Sequence, residues 1–298
     1  MRFFILLFAS LLSLCAQEAP SSEKADAKAP KKDLDLAKYY INLKTSPRAK
    51  KAEPVATRVP LQLEKGVRIA LIGNLLLDAE RRYGHLETLL HQHHPDHQLS
   101  VRNLAWPADE IDLMPRPDNF GDLDQHLTYF KADVIIAAFG ANESFGGQEG
   151  LPSFKKRLDQ FLSHLKTQAY NGKSAAQIVL ISPVANEGDA GKRNNSNLYR
   201  YSNALAEAAK NHQVGFVNVF ENLQPSTSDG YQLDQAGHAA FSNAAVKVIT
   251  GKDPSVINED LRELVVDKAT QFFYRYRPLN TAAAFYYAGF DAHDVHMS

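Results

Sequence analysis

A single cysteine, Cys15, stands in the 298-residue chain, so no internal disulfide can staple the fold. The charges nearly cancel, leaving a formal net charge of -1. No overall field therefore points to nucleic acid or to an acidic lipid surface. Beyond the first residues no run is long and apolar enough to span a bilayer. No glycine-rich loop of the phosphate-cradling kind is present either. Without disulfides, stability rests on a buried core, and a hydrophobic content of 44% supplies one. The length fits one large domain or two small ones.

The first residues read as an export signal. Arg2 gives a short basic start, Phe3 to Leu14 is strongly apolar, and the small pair Cys15-Ala16 follows. Such a run is short for a membrane span and fits a secretory segment, residues 1–16. Cleavage after Ala16 leaves an exported chain, periplasmic or extracellular, with no cysteine and no transmembrane span. The rival reading lipidates Cys15, although Leu14 is bulky where that signal takes a small residue. Residues 17–61 are rich in Ala, Lys, Glu and Pro with few large apolar groups. That composition predicts a flexible tether, because it buries too little apolar surface to offset its ordering entropy. Tyr39-Tyr40-Ile41 is a local docking segment within it.

From Val67 onward short apolar runs alternate with longer helical patterns. Strands are expected at Val67–Ile72, Leu99–Leu104, Val134–Phe139, Ile178–Ile181 and Gly215–Val219. Helices are expected at Asp78–His93, Asp122–Phe130, Leu151–Tyr170, Asn195–Asn211, Gln235–Ile249 and Asn258–Tyr274. In the third of these helices Phe154, Leu158, Phe161, Leu162 and Leu165 share one face. Near-continuous apolar strands alternating with helices predict a three-layer α/β/α, flavodoxin-like fold around a mainly parallel five-stranded sheet. Ligands of such sheets sit beyond the carboxyl ends of the strands. Residues 253–298 are expected to pack a last helix and a tail on that domain.

Four segments fall at those strand ends: Gly73-Asn74, then Arg102-Asn103-Leu104-Ala105-Trp106, then Phe139-Gly140-Ala141-Asn142-Glu143-Ser144-Phe145, then Ser228-Asp229-Gly230-Tyr231-Gln232-Leu233. Arg277-Pro278-Leu279-Asn280 follows near the end. This order resembles the SGNH/GDSL hydrolase family, in particular a secreted bacterial subgroup, over roughly Leu61 to Ile249, which sets a domain of 62–252. The resemblance implies a serine attacking an ester carbonyl, a histidine base oriented by an aspartate, and an oxyanion held by backbone N–H groups and an asparagine. Transferred to this chain, Asn142 matches the oxyanion asparagine and Asp229 the orienting aspartate. Asn74 replaces the serine, Gln232 replaces the histidine, and Ala108 stands at the second block's glycine.

An amide supplies no nucleophilic oxygen for acyl transfer, and Gln232 has no group titrating near neutral pH. The resemblance with these losses implies a degenerate site that binds a small ester, an acylated carbohydrate or another cell-envelope ligand. One alternative is an active esterase or carbohydrate deacetylase with a rearranged site. Its substitute groups would be Ser144 as a displaced nucleophile, Glu143 as general base for direct attack by water, or His238; each is otherwise a capping, loop or packing residue. Another alternative is a structural partner of an envelope protein. His91 and His94 share a helix face in metal-binding reach, but the cluster also suits a helix end, where cations favour the dipole. No metal and no cofactor are expected. Trp106, the only tryptophan, either lines a sugar pocket or packs over the sheet end, and Arg102-Asn103 hold the second loop.

Overall fold

The computed structural model describes Ile41, residues 43–117 and residues 120–277. The expected export segment, the start of the tether and the Pro278-Leu279-Asn280 part of the last motif lie outside the described residues. Among the described residues seven strands occur: β1 (Lys50–Lys51), β2 (Arg68–Gly73), β3 (Ser100–Asn103), β4 (Val134–Ala138), β5 (Gln168–Ala169), β6 (Gln177–Ile181) and β7 (Gly215–Val217). The helices are α1 (Leu75–Tyr83), α2 (His85–His93), α3 (Leu123–Phe130), α4 (Gly147–Leu165), α5 (Gly188–Lys192), α6 (Asn195–His212), α7 (Val219–Asn222), α8 (Gln235–Thr250) and α9 (Glu259–Tyr276).

The main sheet has five strands in the order β3-β2-β4-β6-β7, and every pair is parallel. Strand alternation divides the core. Ile69 and Leu71 of β2 join Leu86, Leu89, Phe241 and Ile249 on one face. Ala70 and Ile72 join Leu127, Phe154, Leu158, Leu162 and Leu205 on the other. The first face is covered by α1, α2 and α8 and the second by α3, α4 and α6, which makes three layers. The apolar stripe expected on α4 is buried at Phe154, Leu158, Leu162 and Leu165, and Phe161 packs edge-on against Phe139 at 5.6 Å.

Several element boundaries differ from expectation: the strand expected over Gly215–Val219 ends at Val217, with Val219 opening α7, and the helix expected from Leu151 starts at Gly147. Two further differences matter more. The helix expected over Asp78–His93 is two helices, because Gly84 adopts φ 71° and ends α1 with its N–H on Glu80 O. Glycine carries no Cβ penalty in that left-handed cap. The helix expected to reach Tyr170 stops at Leu165, and Gln168–Ala169 instead pairs antiparallel with Lys50–Lys51.

That pairing corrects the expected tether, which does not run free to Leu61. The Gln125 side chain donates to Leu43 O and Ser46 O at 3.1 and 2.8 Å. Leu61 and Leu63 enter the core. Thr57 is buried, and its hydroxyl accepts the Ile178 N–H at 2.9 Å. The register explains this bond: β7 begins opposite Val179, so Ile178 has no partner on that side. The Thr57 hydroxyl fills the missing rung. Composition alone missed the segment because a few placed side chains, not average hydropathy, dock it.

Thr57→Val should therefore lower unfolding free energy by about 1–3 kcal/mol, the cost of a buried N–H left unpaired. Urea denaturation of the two proteins measures this. Equal midpoints would show that the Thr57 hydroxyl does not fill the missing rung.

Candidate functional site at the strand ends

Parallel register sets the carboxyl ends of β2, β4 and β6 level, with Gly73 opposite Ala138 and Ala138 opposite Ile181. Gly73 has φ +131°, and a Cβ there would lie 2.1 Å from Ala138 O. Only glycine allows β2 to pass so close to β4 at this point. The next residue, Asn74, caps α1: its N–H donates to Ala138 O at 3.1 Å and its O accepts from Asp78 N at 3.0 Å. Its side chain makes no cap bond. The residue is 2% exposed, and its Nδ2 has no partner.

The β3 end is tied to the same place. Leu104 N donates to Leu71 O at 2.8 Å and Trp106 N to Gly73 O at 2.9 Å. Asn103 bridges α1 and the loop: its Nδ2 donates to Leu77 O, and its Oδ1 accepts from Ala105 N at 3.1 Å. Asn103 therefore holds the second loop, one of the roles its sequence position allowed. Arg102 lies over the Phe272 ring, 5.1 Å from its centroid.

Asn142 and Ala108 line one shallow depression with Pro107, Glu110 and Phe145. Asn142 does not present an open amide there. Its Nδ2 donates to Pro107 O at 3.0 Å and Asp109 O at 3.1 Å, which accounts for both amide hydrogens. Glu143 is buried, and its carboxylate accepts from Gly140 N at 2.7 Å and Ile111 N at 3.1 Å. Burial pushes its pKa up, against the pull of those N–H donors. Ser144 is fully buried; its hydroxyl donates to Ala141 O at 2.6 Å and accepts from Asn194 at 2.7 Å. Both residues serve the backbone of the loop.

Asp229 and Gln232 are brought together at the surface. Asp229 accepts from the backbone N–H groups of Gln232 and Tyr231 at 2.7 and 2.9 Å, and from Gln232 Nε2 at 3.2 Å. Those donors hold the Asp229 pKa below the ordinary carboxylate value. Thr227 and Gly230 tie this loop to Glu187 beyond β6. His238 has another partner. Its Nδ1 lies 2.6 Å from Glu80 Oε1, and its ring stacks on Tyr83 at 4.3 Å. Glu80 is six residues past Asn74, about 9 Å along α1 at 1.5 Å per residue. In the other histidine cluster, His91 contacts Glu87 at 3.2 Å and His94 contacts Leu90 O at 3.1 Å. Among the described residues no three His, Cys, Asp or Glu side chains are grouped to hold a metal ion.

The most heavily charged part of the strand ends went unnoticed in the sequence. Asp78, 2% exposed, lies 2.9 Å from Arg277 Nη1 and 3.8 Å from Arg81 Nε. Arg277 also donates to Ala105 O. Asp109 holds Arg116 through two bonds of 2.7 and 2.6 Å. Trp106 lies between the two arginines, each guanidinium 4.3 Å from its ring. The one sequence signal was a charged Asp78 directly after three leucines at the start of α1.

A model of the GDSL-like lipase/acylhydrolase family matches residues 66–240. The chain belongs to this family. Solved structures similar to it include a mutant of Axe2, an acetyl-xylooligosaccharide esterase from Geobacillus, with TM-score 0.53 and 17% identity over 66% of this chain and 100% of that one. An acetyl xylan esterase from Geobacillus stearothermophilus gives TM-score 0.50 and 17% identity over 63% and 96% of the two chains. No curated protein matches the chain. At such identities the likeness is one of fold. The five-stranded parallel sheet with helices on both sides is the family's architecture in this chain. Among the described residues no helix is long and apolar enough to cross a membrane.

A larger cavity of about 490 Å³ opens beside Arg116, among Ile111, Phe120, His126, Phe161, His164 and Tyr276. His126 is buried against Phe120 and Tyr276, with ring centroids 4.7 and 5.0 Å away. Burial, aided by Arg116 and opposed by Asp122, lowers its pKa from 6.5 to about 4. The unfolded chain then binds a proton that the folded chain refuses. Its stabilising effect is complete above 6.5 and is lost as the pH falls toward 4, by about 3 kcal/mol in all. His126→Phe should flatten the fall in unfolding free energy, measured by urea denaturation at pH 7 and pH 4, by about that amount. An unchanged slope would place this titration elsewhere.

Proposed function

We propose that this GDSL-family domain is an exported binding protein whose ligand is an acylated glycan or another ester-bearing cell-envelope polymer, and that it has lost ester hydrolysis. One observation carries the reading: Asn74, buried and without a nucleophilic oxygen, directly follows the β2 turn where the family's serine is expected. Two others support it. Gln232, at the histidine position, engages Asp229 through an amide that cannot act as base near neutral pH. Asn142, at the oxyanion position, has both amide hydrogens committed to the Pro107–Asp109 backbone. The partners of His238, Glu143 and Ser144 give each a packing or loop role, which weighs against the rearranged esterase. The esterase names of the structural neighbours motivate the ligand class.

The test is ester turnover by the wild type, Asn74→Ser, Gln232→His and the double variant, on short acyl esters and acetylated xylo-oligosaccharides. The wild type should run near background, and a serine-reactive phosphonate should not label it. Asn74→Ser alone should gain little, since a hydroxyl needs a base, and the double variant should exceed either single one non-additively. Wild-type turnover abolished by stoichiometric phosphonate labelling would overturn the reading and favour the rearranged esterase.

A further inference from the structure

We infer that the charged cluster around Asp78, Arg277 and Trp106 is a binding site for an oxyanion, a carboxylate or sulfate group carried by the ligand. The inference deepens the binding reading and takes its place at the strand ends from it.

The argument is a count of charges and donors. Arg116 and Asp109 satisfy each other through two short bonds. Asp78 alone then faces two guanidiniums, Arg277 at 2.9 Å and Arg81 at 3.8 Å. One positive charge is left over at the edge of a poorly solvated place: the Arg81 side chain is 26% exposed, against 12% for Arg277 and 3% for Asp78. Burial accordingly pulls the Arg277 pKa down despite Asp78.

The unpartnered atoms agree with the charge count. Asn74 Nδ2, Arg81 Nε and Arg277 Nε are all buried, and none has a hydrogen-bond acceptor; Trp106 Nε1 is turned toward Tyr276. Asp78 Oδ1 also lacks a well-angled bond, but it sits in the ion pair with Arg277. The three donors belong to neighbouring residues: Asn74, Asp78 and Arg81 follow one another at helical spacing along α1 and its N-cap, and Arg81 and Arg277 both lie at Asp78. Asp78 N is bonded to Asn74 O and Trp106 N to Gly73 O, while Arg277 spans Asp78 and the Trp106 ring. Buried donors without acceptors are costly. A single oxyanion brings several acceptor lone pairs and the missing negative charge together, and guanidinium groups bind such groups through charge-assisted bonds. A neutral ester carbonyl would answer at most two donors and leave the charge unbalanced.

Trp106 is the only tryptophan, so its fluorescence reports on this cluster alone. The full chain is titrated with sodium sulfate and sodium acetate, each against sodium chloride at equal ionic strength. The expected result is a saturable change in Trp106 emission and a rise in Tm of about 3 °C, a typical response to ligand binding for a domain of this size. Sulfate and acetate arms separate a sulfated from a carboxylated ligand. Arg81→Gln, at a partly exposed position, should weaken the response about tenfold or more by removing a charged hydrogen bond. Asn74→Asp gives the sign. At pH 7 it places an internal carboxylate among the donors, so Tm should rise and the anion response should vanish. Sulfate and acetate behaving as chloride does, together with a lower Tm for Asn74→Asp, would overturn the inference. Acetylated xylo-oligosaccharide shifting Trp106 emission without competition from either anion would also overturn it while leaving the binding reading standing. Saturable anion binding with no response to any glycan would keep the oxyanion site and remove the glycan reading.

Discussion

A buried carboxylate needs a partner, and Asp78 finds one at the far end of the chain. Removing a carboxylate from water costs several kcal/mol unless opposite charge and hydrogen bonds replace the solvent. Arg277 supplies the charge, and the same guanidinium stacks on Trp106 and donates to Ala105 O. One side chain thereby fixes the first helix after β2, the loop after β3 and the end of α9 to one another. The remaining strand-end contacts build on that arrangement. Asn142 can reach Pro107 O and Asp109 O because the loop carrying them is already held at Ala105 and Trp106. Loss of this pair would leave an uncompensated charge in the core, so the C-terminal helix belongs to the site as much as the strands do.

The site that results is unusually closed. In a hydrolase of this architecture the strand-end asparagine keeps a hydrogen free for the developing oxyanion. Here the loop carbonyls take both, and a glutamate below them stitches Gly140 to Ile111. Polar groups that a catalyst would aim at a substrate are spent on the backbone. What stays unsatisfied lies one step deeper, among nitrogen donors around Asp78. On the proposed reading, the pocket attracts negative charge instead of transferring a proton.

Much of the fold was legible because it rests on periodicity. Five near-continuous apolar strands, and the stripe from Phe154 to Leu165, state their layers directly. The misreadings have local causes. Gly84 splits one helical pattern into two because a left-handed cap needs no change in the flanking hydrophobic period. Residues 43–61 dock through Thr57, Gln125 and backbone ladders, none of which raises hydropathy. The candidate positions Asn74, Asn142, Asp229 and Gln232 were visible as ordered motifs. Their bonding was not, since it depends on which carbonyl each amide meets. Arg277 was noticed as part of a motif, but its meaning required the fold: its partners lie 172 residues away at Ala105 and further still at Asp78.

Those separations set the timing of folding. Thr57 waits for Ile178, 121 residues later, and Ala105 waits for Arg277. Contacts between such distant residues are slow to form, because loop-closure entropy is lost before any contact compensates it. On a chain made from its N-terminus at about 5–20 residues per second, α1 exists for roughly ten seconds or more before α9 does. During that interval Asp78 has no guanidinium from α9 and remains hydrated. Until then Asp78 has only Arg81 of its own helix as a charged partner, so a chain shortened by its final helix and Arg277 would keep its strands' apolar pattern yet lose the tie between the first helix and the loop after β3.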